Sequence, residues 1–361
     1  MNDSAKMVFL MVVLLLMLGI VMIYSSSAVH ADTISGDSMY FVKRHLMFLV
    51  MGLIAAVMCM AVPPGFFRDN AKTIMLISLF LLVLVLIPGI GTKAGGARRW
   101  IRVLGFGLQP SEFAKVALIL YLSDFTTRKR YMLGSLVKGF LPALFVIGFT
   151  GGLILLEPDL GTSVAAGFIG IVILFVSGVN LKHLGVLMAA AVPLLLAAII
   201  CAPYRIKRVL AFVSPWEDPK GIGFQLVQSF IALGSGGLFG VGLGASKQKL
   251  FYLPQSHTDF IYSIIGEELG FVGAISVLLL FAVIVWYSLK LSFRVKELFM
   301  SRVIFGIGMM IAFEVIVNVG VSAGALPTKG LPLPFISYGG SSLVVHMAAI
   351  GILLNMSRGA E

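Results

Sequence analysis

Charge is scarce in this chain. Asp, Glu, Lys and Arg make up 12% of its 361 residues, about half the share that soluble domains carry, and a water-soluble domain of this size is excluded. Cysteine is scarcer still. Cys59 and Cys201 are the whole complement, and in the topology derived below they fall near opposite faces of a membrane. They cannot pair, and both read as small apolar packing residues. Alternating segments of the length a membrane-spanning strand needs are missing, which excludes a β-barrel. The net charge of +11 is dispersed over short loops, with no long basic tract and no basic patch interleaved with aromatics, so nucleic acid is not the partner it points to. Internal repeats, low-complexity tracts and linkers that would isolate a soluble domain are also absent.

What remains is mostly hydrocarbon: 59% of residues are hydrophobic and the mean hydropathy is +1.04. Apolar runs at 7–26, 45–63, 73–90, 110–124, 138–156, 162–178, 184–202, 261–289, 303–322 and 340–356 predict an all-α polytopic membrane protein of about ten transmembrane helices. The first run could be mistaken for a signal peptide, because Ala28-Val29-His30-Ala31 faintly resembles a cleavage site. Its apolar stretch is too long and Lys6 is the only preceding cation, so it reads as the first span. An even span count puts both termini on one side. Lys6, Arg68, Lys72, Arg128, Lys129, Arg130, Lys138, Lys182, Lys290, Arg294, Lys296, Arg302 and Arg358 then share that side in short segments, which predicts that it is cytoplasmic. The outer loops become 27–44, 91–109, 203–260 and 323–339. Within the third, the short apolar run 224–233 predicts a re-entrant or interfacial helix.

Polar groups at a bilayer boundary usually have a function. Asp259 closes the stretch Leu253-Pro254-Gln255-Ser256-His257-Thr258-Asp259-Phe260 and directly precedes a long apolar helix. It is either a helix cap or a carboxylate held at the membrane surface to accept a proton. His257 has no second His or Cys at ligand spacing. Glu112 and Lys115 share a helical face, where a self-neutralising ion pair is the plain reading. Glu157-Pro158-Asp159-Leu160-Gly161-Thr162 reads as a turn with a capping carboxylate. Glu314 and Asn318 lie one turn apart, suited to interhelical hydrogen bonds or to a proton relay. At least one of Glu267 and Glu268 reads as a satisfied polar contact. Gly240, Gly242 and Gly244 mimic a dinucleotide fingerprint, but no strand precedes them, and they read as bends. The outer cations Arg98, Arg99, Arg102, Arg205, Lys207, Arg208, Lys247, Lys249 and Lys329 suit lipid head groups singly. Together they suit a pyrophosphate on a lipid tail.

Several of these stretches, in this order, resemble the SEDS family, the FtsW, RodA and SpoVE proteins. They are Gly96-Ala97-Arg98-Arg99-Trp100-Ile101, Gln109-Pro110-Ser111-Glu112-Phe113-Ala114-Lys115, the Glu157–Thr162 and Leu253–Phe260 runs, Gly266-Glu267-Glu268-Leu269-Gly270, and the run from Leu326-Pro327-Thr328-Lys329-Gly330 to Ser337-Tyr338-Gly339-Gly340-Ser341-Ser342. Residues 240–271 are nearer to the FtsW and SpoVE branch than to RodA. The resemblance implies one SEDS membrane domain over residues 1–361, with a large extracytoplasmic loop at about 203–260. It implies a peptidoglycan glycosyltransferase that polymerises lipid II, a disaccharide-pentapeptide on undecaprenyl pyrophosphate, at the outer face of the bacterial cytoplasmic membrane. The setting is cell division or spore cortex synthesis. The implied partners are a cognate class B penicillin-binding transpeptidase and other divisome or cell-wall membrane proteins.

By the same resemblance Asp259 is the catalytic carboxylate, the general base of an inverting displacement with undecaprenyl pyrophosphate as leaving group. Arg98, Lys247, Lys249 and Lys329 are expected to contact the pyrophosphate. Glu112, Lys115 and Asp159 are expected to line the central cavity and to orient Asp259 or hold a divalent cation, Mg²⁺ or Mn²⁺, beside it. Trp100, His257 and Ser337 belong to the same motifs and complete the expected cavity, and no organic cofactor is implied. Two alternatives stand beside this reading. A lipid II flippase fits the span count, although the charges cluster at outer ends and no paired broken helices or inverted repeats are visible. A divisome scaffold that recruits a transpeptidase would need no chemistry of its own.

Overall fold

Backbone amides in hydrocarbon have no water to bond, so each long apolar run must close its hydrogen bonds within itself. The computed structural model describes residues 2–94, 97–103 and 106–360, and in it every expected span is a helix. Helices α1 (Asp3–Ser35), α2 (Tyr40–Ala61), a short α3 (Pro64–Asp69) and α4 (Ala71–Leu86) lead into a small sheet. Beyond the sheet come α5 (Pro110–Arg128), α6 (Leu141–Leu156), α7 (Leu160–Val176), α8 (Leu181–Ile200), α9 (Pro203–Val213), α10 (Phe224–Ser235), α11 (Ile261–Arg294), α12 (Leu298–Ser322) and α13 (Gly340–Met356). Among the described residues, seven helical stretches are long and apolar enough to span alone. The other three expected spans are α4, α5 and α7, of 16, 19 and 17 residues. Helix α5 also carries Glu112, Lys115, Asp124 and Arg128.

Helix α5 is the axis of the bundle, buried along most of its length from Pro110 to Thr126, and α12 and α13 pack beside it. Helix α8 is the opposite case, with an apolar surface that is almost wholly exposed, as expected of a helix facing lipid. The short apolar run at 224–233 is α10, whose Ser229 hydroxyl bonds Ser263 of α11 at 2.6 Å and donates to the Ser322 carbonyl of α12 at 2.7 Å.

Two features depart from the sequence reading. The loop 91–109 holds an antiparallel three-stranded sheet, β1 (Gly91–Ala94), β2 (Ala97–Val103) and β3 (Phe106–Leu108), in the order β1-β2-β3. Gly96, part of the family motif, lies outside the described residues. Helix α11 is also not continuous. Its 34 residues would reach ~51 Å, well beyond a hydrocarbon core of ~30 Å, and it breaks at Gly270, where φ is 69°. The segment 237–242 satisfies the freed backbone. Phe271 N–H donates to Gly237 O at 2.9 Å and Val272 N–H to Leu238 O at 3.1 Å, while Val241 N–H and Gly242 N–H donate to the Glu267 and Glu268 carbonyls at 3.0 and 3.1 Å.

Candidate active site

Pieces of the chain far apart in sequence meet at one end of the bundle around a cavity of about 380 Å³. Strand β2 contributes Arg99, the α6–α7 turn contributes Asp159, α9 contributes Tyr204, Arg205 and Arg208, the segment before α11 contributes Gln255 and Asp259, and the loop after α12 contributes Thr328, Lys329 and Gly330. Local chemistry sets each of them. Asp159 is the N-cap of α7, accepting from Thr162 N at 3.1 Å and from the Thr162 hydroxyl at 3.0 Å. Arg99 grips the same turn, donating from Nε to Glu157 O at 3.1 Å and from Nη2 to Pro158 O at 2.6 Å, with Nη1 3.8 Å from Asp159. Arg205 and Arg208 stand one turn apart on the amphipathic α9, so both face the cavity. Arg208 donates to the Thr328 carbonyl at 3.3 Å.

The Asp259 carboxylate faces this cavity and makes no hydrogen bond or ion pair among the described residues. Burial pushes its pKa up to about 6 and Asp159 adds to the rise, while Arg208 and Arg99 oppose it. Gly330 leaves the carboxylate its room, since a Cβ there would lie 3.0 Å from Asp259 Oδ2. Lys329, the residue before it, is likewise uncommitted among the described residues. Burial holds its ammonium below the usual lysine range, with Asp159 pulling it up and Arg208 pushing it down. Beneath Arg99 lies Glu157, fully buried, with neither carboxylate oxygen hydrogen-bonded. Burial and then Asp159 drive it up to about 8, against Arg99. An uncommitted carboxylate, Asp259, thus sits among cations suited to a diphosphate.

Of the residues singled out in the sequence, Asp259, Asp159 and Lys329 line this cavity together. Arg99, Arg205 and Arg208 of the outer cations join them, and the other expected site residues lie elsewhere. Lys249 is buried in an ion pair with Glu268 at 2.9 Å and also donates to Gly244 O and the Ser25 hydroxyl. Lys247 lines a separate cavity between α1 and the 243–250 segment. Arg98 and Trp100 flank Arg99, which is the unpaired residue of a β-bulge in β2, and they do not line the cavity; Trp100 packs over Gly107. The His257 ring lies among Phe41, Tyr338 and His30 at centroid distances of 4.8, 5.9 and 5.7 Å, and burial followed by His30 holds it down to about 4, hence neutral. Ser337 acts through the backbone, its hydroxyl donating to Thr258 O at 2.7 Å.

Glu112 and Lys115 lie inside the bundle, at most 2% exposed. The Lys115 ammonium donates to Glu112 at 3.1 Å and to Glu314 of α12, and Glu314 pairs with His346 of α13 at 2.5 Å. Glu112, Glu314 and His346 bring ligand atoms within 4.8 Å of one another, but the Lys115 ammonium already stands between the two carboxylates. Asp259 fits a divalent cation better, because its oxygens are uncommitted and Mg²⁺ usually takes one or two carboxylates plus phosphate oxygens. The sequence reading named Glu157 only within a turn motif and gave it no role, and it pooled Arg99, Arg205 and Arg208 with the other outer cations. The spacing of Arg205 and Arg208 at i, i+3 was the available signal.

The sequence profile of the FtsW, RodA and SpoVE family, described as cell cycle proteins, matches residues 5–361. The chain is 46% identical over 345 residues to stage V sporulation protein E of Bacillus subtilis, covering 96% of this chain and 94% of that protein. It is 46% identical over 352 residues to the probable peptidoglycan glycosyltransferase FtsW of Trichlorobacter lovleyi, covering 98% and 92%. A chain of a solved peptidoglycan synthase complex, described as coordinating polymerization and crosslinking, superposes with a TM-score of 0.80 at 31% identity, covering 98% of this chain and 97% of that one. The rod shape determining protein RodA of Thermus thermophilus superposes with a TM-score of 0.73 at 28% identity, covering 97% and 95%.

Proposed function

The chain belongs to the FtsW, RodA and SpoVE family of cell cycle proteins, and from that premise we propose that it polymerises lipid II with Asp259 as its base. The enzyme is a membrane-embedded peptidoglycan glycosyltransferase. The polar cavity belongs to the outer face of the membrane, with both termini cytoplasmic, because its residues come from the helix ends opposite the basic short connections. The whole chain acts as one membrane domain, working beside a class B transpeptidase that crosslinks the glycan.

Glycosyl transfer between lipid-linked sugars needs a base on the acceptor hydroxyl and positive charge on the departing pyrophosphate. Asp259 takes the proton of the acceptor 4-hydroxyl as that oxygen attacks the donor anomeric carbon. The bond to the pyrophosphate oxygen breaks on the opposite face, inverting the centre. One carboxylate is enough for such a displacement, since no glycosyl-enzyme intermediate forms. Lys329 and Arg208 receive the diphosphate charge. Arg99 is occupied with the Glu157 and Pro158 carbonyls and holds the turn that carries Asp159. A divalent cation, if bound, would be held by Asp259 and would neutralise diphosphate oxygens.

The carrying observation is the uncommitted Asp259 carboxylate facing a cavity that holds Arg208 and Lys329. The test is purified protein with its cognate transpeptidase, lipid II and Mg²⁺, with glycan polymer resolved on a gel. Asp259→Asn is expected to keep its fold and lipid II binding and to lose polymerisation by roughly 10²–10⁴-fold, the range of general-base catalysis. Polymer at the wild-type rate would refute the assignment.

A further inference from the structure

Three consecutive carbonyls lead up to the Asp259 side chain, and each is held by a donor from elsewhere in the fold. His257 O accepts from Tyr338 N at 3.0 Å, Thr258 O from the Ser337 hydroxyl at 2.7 Å, and Asp259 O from Asn318 Nδ2 at 3.0 Å. The first two donors lie in the loop after α12. The third is different, since Asn318 stands on α12 itself, 1% exposed, and its amide makes a second bond to Leu331 O at 2.8 Å. Leu331 N–H in turn donates to Lys329 O at 3.1 Å. One buried amide therefore ties the residue bearing the carboxylate to the turn bearing the uncommitted lysine.

The orientation of that amide follows from its neighbours. Both facing groups are carbonyl acceptors, so only its NH₂ end can meet them. Asn318 Oδ1 is left buried without a partner, a cost that an apolar residue of the same shape would avoid. Both of its donors are spent on the backbone of the two loops and none on a side chain of a neighbouring helix.

We infer that Asn318 is a positioning residue, which sets the distance between the Asp259 carboxylate and Lys329 by clamping both loops to α12. The inference rests on the assignment of Asp259 as base. In-line displacement requires the base and the leaving-group cations to be held at one separation, and a misplacement of about 1 Å can cost on the order of 100-fold in rate. Ser337 fixes the neighbouring carbonyl and is the weaker member of the same clamp.

The experiment measures lipid II polymerisation by the protein with its transpeptidase, separating kcat from KM. Asn318→Leu keeps shape and removes both donors. It is expected to lower kcat on the order of 100-fold, with KM within about twofold of wild type, and Asn318→Gln, which retains the NH₂, is expected to recover part of the loss. In the Asp259→Asn background, Asn318→Leu should add no further loss, because the amide acts through the carboxylate. A purely structural role would instead lower the folded yield of both Asn318 variants and add its loss to that of Asp259→Asn. Wild-type kcat in Asn318→Leu, or full additivity, overturns the clamp. Should Asn318→Leu not fold, Ser337→Ala carries the test from a loop, and wild-type kcat there overturns it. Wild-type polymerisation by Asp259→Asn would remove the base assignment whatever Asn318 does. An inactive Asp259→Asn with a fully active Asn318→Leu would remove only the clamp.

Discussion

Inside the bundle, Glu112, Lys115, Glu314 and His346 answer one another across α5, α12 and α13, with each side chain at most 2% exposed. At the mouth of the cavity, Asp259 and Lys329 have the same kinds of ionisable group and, among the described residues, no such partners. The interior cluster is closed by direct charge-assisted hydrogen bonds, as groups in hydrocarbon must be. The mouth is left open, so its unmet charge is available to a ligand. Burial and charge type alone do not mark a site. The presence or absence of a partner does.

The comparison breaks most sharply at Lys115. Lys115→Met leaves Glu112 and Glu314 facing each other in the interior, and losing one partner of a buried ion pair costs about 3–5 kcal/mol. The expected outcome is a collapse of folded protein in detergent, read by size exclusion and thermal unfolding. Neutralising the partners as well, with Glu112→Gln and Glu314→Gln added to Lys115→Met, should restore much of the folded yield. A stable but inactive Lys115→Met would instead give the interior cluster a chemical role. The mirror experiment is Lys329→Met. Among the described residues Lys329 has no partner to strand, so the melting temperature should stay near wild type, while polymerisation falls by roughly 10²–10³, the loss typical of one missing electrostatic donor. A fall in stability with turnover per folded molecule intact would reverse the comparison.

Much of this fold was legible because hydrocarbon permits so few backbone solutions. All the expected spans formed helices, including α4 and α7, whose 16 and 17 residues are short for a span. The i, i+3 pair of Glu112 and Lys115 was legible because it is local. Its closure by Glu314 and His346 was not, since those contacts join helices far apart in sequence. Lys249 was grouped with the outer cations for the same reason: its partner Glu268 lies on α11, against which the 237–250 segment packs through backbone hydrogen bonds. The small sheet was hidden by Arg98, Arg99 and Arg102, which put charge on both faces of β2 and erased the alternation that announces a strand. Asp259, Asp159 and Lys329 were named together through the family resemblance, and the loops then brought them to one cavity.

The smallest expected effect lies at the border of the two regions, in Glu157, which is buried like the interior cluster and unpartnered like the mouth. Its pKa is raised to about 8 in the folded chain from an ordinary value of 4.5, by burial and by Asp159. The folded state therefore binds this proton more tightly than the unfolded state does. Stability from the group is full below the unfolded value near 4.5 and declines as pH climbs toward 8, because the folded protein must then either keep the proton or bury a charge. Glu157→Gln copies the protonated carboxyl and cannot ionise. Its melting temperature should match wild type at acidic pH and exceed it by a few degrees at pH above about 8, with polymerisation little changed. Equal pH slopes for the two proteins would mean that Glu157 has a partner after all and belongs with the closed cluster.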